Sequence, residues 1–127
     1  MGRVFKTKNF NRWLRKSMLN DQALAEAVLE MSKGLIDADL GKGLVKKRIA
    51  LPGRGKSGGA RTLLATNKKD RWIFLFGFQK NEKGNITAEE LYALQSLALD
   101  FLDLSEKQMD SALNTGELIE VFYDNQT

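Results

Sequence analysis

Between Lys46 and Arg61 the chain reads K-K-R-I-A-L-P-G-R-G-K-S-G-G-A-R, with six cations in sixteen residues. Lys and Arg placed this densely do one kind of chemistry well. They hold phosphate, and they neutralise the charge that builds on phosphorus during transfer. Arg acts through a planar fork, and Lys through a compact charge whose pKa drops when other cations crowd it. A lysine so depressed can take the proton of a ribose 2′-OH, so RNA cleavage without histidine or metal is chemically feasible. No cluster of carboxylates accompanies the basic stretch, which argues against two-metal hydrolysis, and no metal or other cofactor is expected.

The G-K-S at 55–57 invites a nucleotide-binding reading, which the spacing rejects. A phosphate-binding loop of the G-x-x-x-x-G-K-S type needs its first glycine at position 50, and that residue is Ala50. Gly58-Gly59-Ala60-Arg61-Thr62-Leu63-Leu64 then continues as a strand, whereas a phosphate loop opens a helix. A mobile basic connection between two antiparallel strands accounts for the segment better. Its glycines permit close approach by another backbone, and Arg54 and Lys56 carry charge at its tip. Lys46 and Arg48 lie on the strand before it and Arg61 opens the strand after it, so these five cations are expected to converge on one patch. Lys47 completes the basic run and is expected to contact the RNA backbone.

The surrounding elements follow from periodicity. Val4 to Lys8 suggests a short edge strand. Phe10, Trp13, Leu14 and Met18 recur at helical spacing, and Asn20 or Asp21 caps a second helix carrying Leu24, Val28 and Met31, with Gly34 as its stop. The two helices are expected to form a hairpin. From Leu44 the period becomes two, with Val45, Ile49 and Leu51 on one side and Lys46, Arg48 and Ala50 on the other. Ala60–Thr66 gives a second strand, and Arg71–Phe78, apolar on both faces, a buried central one. Thr87-Ala88-Glu89-Glu90 and Ser105-Glu106-Lys107-Gln108 are capping boxes that open two C-terminal helices. Leu118 to Phe122 is compatible with a strand or a loose tail. The expected fold is α+β: an antiparallel sheet of about four strands, an N-terminal helix hairpin and C-terminal helices. At 127 residues one domain is expected, with a core over 1–104 and a C-terminal helix and tail over 105–127.

Composition narrows the function further. There is no Cys and no His, which removes disulfides, thiol chemistry and imidazole catalysis. No apolar run has the length of a membrane span and the basic N-terminus lacks the apolar stretch of a signal peptide, so a cytoplasmic protein without membrane contact is expected. The net charge of +4 hides a strong sorting: residues 40–83 hold twelve Lys/Arg against Asp70 and Glu82, while residues 84–127 hold nine acids and Lys107 alone. A chain sorted this way can present one basic face, the footprint of a phosphate-backbone binder.

Lys46-Lys47-Arg48-Ile49-Ala50, Gly55-Lys56-Ser57-Gly58-Gly59-Ala60-Arg61, Phe74-Leu75-Phe76-Gly77-Phe78 and Lys80-Asn81-Glu82, in this order, resemble the RelE/ParE toxin superfamily, and within it the HigB-type branch of RelE toxins. The resemblance is strongest over 44–86. It implies a RelE-like, microbial-ribonuclease-like fold and a bacterial toxin that cuts mRNA on the ribosome as an endoribonuclease (an mRNA interferase) and so inhibits translation. It implies as partners a cognate antitoxin of helix-turn-helix type, the ribosome and mRNA, and operator DNA through the toxin–antitoxin complex. By the same resemblance Lys46 and Arg48 match the cations of the family's active-site strand, Arg61 the arginine at the scissile phosphate, and Lys80 the lysine ending the following strand.

Two positions depart from the better-known RelE pattern. Asn81 stands where an Arg follows the position of Lys80, and Thr87 where a stacking Tyr opens the last helix. Phe78 and Lys83 are the nearby candidates for base stacking and leaving-group protonation, and Lys83 is the better proton donor. Gyrase-poisoning ParE-type relatives share the fold without cutting RNA, and a non-catalytic nucleic-acid-binding module is a third reading.

Overall fold

A computed structural model describes residues 2–53, 55 and 58–123. Their order is β1 (Arg3–Thr7), α1 (Lys8–Lys16), α2 (Asp21–Ser32), β2 (Ala38–Asp39), β3 (Leu44–Ile49), β4 (Ala60–Thr66), β5 (Arg71–Gln79), α3 (Ala88–Leu102), α4 (Glu106–Thr115) and β6 (Leu118–Val121). The α+β class holds. The sheet, however, has six strands in the order β2-β3-β4-β5-β1-β6, and it is mixed, because β1 runs parallel to β5. β2 is two residues long and β6 four, too short for period-two alternation to announce them. β1 is interior and does not form the edge. Lys6 gives it an edge-like pattern, yet its ammonium is buried and neutralised by Asp21 at 2.7 Å.

Helices cover both faces. Alternation in β4 sends Leu64 toward α1 and α2, where it joins Phe10, Leu24, Val28, Trp72 and Phe74. Its neighbours Leu63 and Ala65 point the other way, joining Ile73, Leu94, Phe101 and Met109 beneath α3 and α4. Burying side chains of this size stabilises the fold by roughly 1.5–3 kcal/mol each. α1 stops at Lys16, so Met18 lies outside its stripe and is 65% exposed. The 105–121 segment is no appendage: Met109 and Leu118 are each 1% exposed, and β6 pairs with β1.

α2 crosses the sheet from β1 to β3 and is fastened at both ends. Asp21 in its first turn holds Lys6, and Glu30 in its last turn holds Lys47 at 2.7 Å. Nine residues of helix rise about 13.5 Å, close to the three strand spacings of about 4.8 Å between β1 and β3. The two ion pairs therefore set the helix across the sheet at a fixed angle.

A bulge in β5 prepares the functional face. Leu63 pairs with Phe76 and Leu64 with Phe74, which leaves Leu75 as the extra residue. Leu75 and Phe76 consequently both join the cluster under α3, and the alternation beyond them is reversed. Gly77 now faces α1, where a Cβ would come within 2.5 Å of the Trp13 ring. Arg71 secures the other end of the same strand. Its guanidinium donates to the carbonyls of Phe101 at 3.0 Å and Leu104 at 2.8 Å, which satisfies the C-terminal end of α3.

Candidate functional site: a cationic row on the sheet

β3 and β4 pair antiparallel with Arg48 directly opposite Arg61 and Lys46 opposite Leu63. Phe78 of β5 is the next partner in line from Arg61. Lys46, Arg48 and Arg61 thus share one face of the sheet, the face that α3 covers farther along at Leu44, Ala65 and Ile73. Near the β3–β4 connection that face turns from apolar to cationic. Cations in directly opposed positions on an exposed part of the sheet suit this face to an anion.

The arginines are held in place. Asp37 accepts from the Arg48 backbone N–H at 2.7 Å and from its Nε at 3.0 Å, and the Arg48 side chain remains 43% exposed. Burial pushes the Asp37 carboxyl upward, but hydrogen bonds from the Arg48 backbone and guanidinium, with the charges of Arg48 and Lys47, outweigh that and hold it below its ordinary range. Asp37 also extends the ladder, since its own N–H bonds the Lys46 carbonyl at 3.1 Å. Arg61 donates through Nη1 to the Gly59 carbonyl at 3.0 Å. Gly59 is required there, because a Cβ would lie 2.2 Å from the Ile49 carbonyl oxygen.

Two expected RNA contacts are corrected by the structure. Lys47 points to the opposite face, is 2% exposed, and donates to the Leu35 carbonyl at 2.8 Å as well as to Glu30. Period two makes this inevitable: of three consecutive cations, the middle one faces the other way. Phe78 is 4% exposed within the core under α3 and cannot serve as an open stacking platform. Arg54 and Lys56 lie outside the described residues.

Lys80 is exposed just past the end of β5. Lys83 follows it in the connection to α3 and pairs with Glu90 at 2.7 Å. The Lys83 hydrogen bond, then that from the Thr87 backbone, holds the Glu90 carboxyl below its ordinary range. Because Glu90 is also the reciprocal member of the α3 capping box with Thr87, that box anchors Lys83 at the head of the helix. Asp37 and Glu30 are the residues that sequence reasoning passed over. Asp37 stands just before the two-residue β2, and the helical stripe of α2 gives Glu30 no distinguishing mark; only the register of β3 shows what each one holds.

No helix of the described residues is long and apolar enough to cross a membrane. No curated protein matches the chain. The family model described as "RelE toxin of RelE / RelB toxin-antitoxin system" matches residues 2–121, which takes in every described element from β1 to β6. The chain therefore belongs to the RelE toxin family.

Proposed function

We propose that this toxin is a ribosome-dependent mRNA endonuclease that inhibits translation by metal-independent cleavage. The observation that carries the reading is the opposition of Arg48 and Arg61, with Lys46 on the same face. Three cations on one sheet face, two of them in direct register, suit a bound phosphodiester better than an empty surface. A gyrase-directed toxin would bind protein and would have no need of that row.

In the proposed reaction a ribose 2′-oxygen attacks the adjacent phosphorus as the bond from phosphorus to the 5′-oxygen breaks. The products are a 2′,3′-cyclic phosphate and a 5′-OH. Lys46, with Arg48, positions the backbone or acts as the base that takes the 2′-proton. Arg61, with Lys56 from the basic loop, stabilises the charge on the pentacovalent phosphorus. Lys83, with Lys80 beside it, supplies the proton to the departing 5′-oxygen. Arg54 adds attraction for the RNA backbone.

Purified toxin added to ribosomes programmed with a defined mRNA should cut that mRNA. It should leave the naked transcript intact, and Arg61→Ala should reduce cleavage by at least about 100-fold. Equal cutting of naked RNA would overturn ribosome dependence. No cutting in either case, accompanied by gyrase–DNA cleavage complexes, would favour the gyrase reading.

A further inference from the structure

The charged residues of α1 are Lys8, Arg12, Arg15 and Lys16, with no acid among them. On a helix of 3.6 residues per turn they fall in one stripe about 100° wide. The stripe is centred opposite Phe10 and Leu14, the residues that α1 buries. Asn9 and Asn11 border it on either side. All four cations are exposed, and none makes an ion pair with another described residue. Of the acids on α2, Asp21 and Glu30 are committed to Lys6 and Lys47. Glu117, whose carbonyl accepts from the Lys8 N–H at 3.1 Å, flanks the N-terminal end of the stripe. Arg12, Arg15 and Lys16 therefore carry its charge.

Helix stability does not account for the stripe. Arg15 and Lys16 suit the last turn, where the helix dipole favours cations, but Lys8 stands in the first turn, where it favours acids. Lys8 with Arg12, and Arg12 with Lys16, are like charges four apart, a spacing that weakens a helix. A protein partner would need apolar anchors at the centre of its contact. The apolar residues of α1 are turned away from the stripe: Phe10 and Leu14 are buried, and Trp13 packs on Gly77. A nucleic-acid backbone asks only for cations and amide donors, which is what the stripe presents. Cations three and four apart have their Cβ atoms about 5–6 Å from each other, which suits neighbouring phosphates of one strand.

α1 packs on the face of the sheet opposite to Lys46, Arg48 and Arg61. With packed layers about 10 Å apart and a helix radius of about 5 Å, the stripe lies about 15 Å behind that face. A strand lying along Arg48 and Arg61 does not reach it, so the stripe calls for a second stretch of RNA held in fixed relation to the first. We propose that the α1 stripe docks on the phosphate backbone of folded ribosomal RNA, at a contact separate from the cleavage site. This rests on the ribosome-dependent reading and deepens it, because a naked transcript fills the cationic row and leaves the stripe empty.

Filter retention of purified toxin on purified ribosomes without mRNA, over a series of salt concentrations, tests this. The logarithm of the wild-type affinity should fall linearly with the logarithm of salt concentration. Arg12→Gln with Lys16→Gln should weaken binding about tenfold at low salt and make the slope shallower by roughly 1.5, the loss of two phosphate contacts. Arg15→Gln alone should change the slope by about half as much. Lys33→Gln with Lys107→Gln removes two exposed cations elsewhere and should leave affinity and slope at wild-type values. Wild-type affinity and slope in both α1 variants would overturn the proposal. Equal weakening by the Lys33 and Lys107 changes would also overturn it, by reducing the effect to net charge. Wild-type toxin that fails to bind ribosomes would overturn the ribosome-dependent reading itself, before any variant is compared. Binding is read without mRNA, so the outcome does not depend on cleavage.

Discussion

Arg48 and Arg61 lie directly opposite each other on β3 and β4, two cations in register on one sheet face. An anion held by both is bound only by the folded state, and such a ligand stabilises that state by mass action. Inorganic phosphate should therefore raise the thermal midpoint of the free toxin more than chloride at equal ionic strength. The difference should vanish in Arg61→Ala. A midpoint that ignores phosphate would show that the row holds no anion.

Asp37 is the residue that aims Arg48, through bonds at 2.7 and 3.0 Å. Because its pKa is depressed in the folded state, its contribution is fully present above the ordinary carboxylate range and is lost as pH falls through the lowered value. At pH 7 Asp37→Asn should cost about 1 kcal/mol, a hydrogen-bonded ion pair discounted for the exposure of Arg48. Below about pH 4 the gap between wild type and variant should narrow as pH falls toward the lowered value. Thermal midpoints at pH 7 and pH 3 measure this, and an equal gap at both would remove Asp37 from the role.

Lys47 and Glu30 separate the fold from the chemistry. Lys47 is 2% exposed, so Glu30→Ala leaves a buried charge with the Leu35 carbonyl and without its carboxylate. Denaturant titration should show a loss of about 3 kcal/mol. Lys47→Met removes the charge with the pair and should cost less. Cleavage per folded molecule should stay at the wild-type level in Lys47→Met, since the side chain lies behind the sheet from Arg48. A selective loss of cleavage there would return Lys47 to the RNA surface.

The sequence displays what repeats and conceals what depends on register. Ala60–Thr66 and the capping boxes at Thr87 and Ser105 are legible because alternation and caps are local signals. The burial of Lys47 is legible in principle from the period-two pattern, which places it opposite Lys46 and Arg48. The pairing of Arg48 with Arg61 is not, because it depends on strand alignment across a long connection. Nor is the bulge at Leu75, which carries Phe76 and Phe78 into the core under α3 and closes Phe78 to a base. Lys6 and Lys47 look like surface residues until α2 crosses over them with Asp21 and Glu30.

Mapping transcript ends after induction in bacteria tests the central claim most directly. Wild-type toxin should produce breaks within coding sequence that leave a 2′,3′-cyclic phosphate upstream and a 5′-OH downstream, and Arg61→Ala should abolish both the ends and the growth arrest. Growth arrest with intact transcripts, or breaks bearing 3′-OH and 5′-phosphate ends, would contradict it.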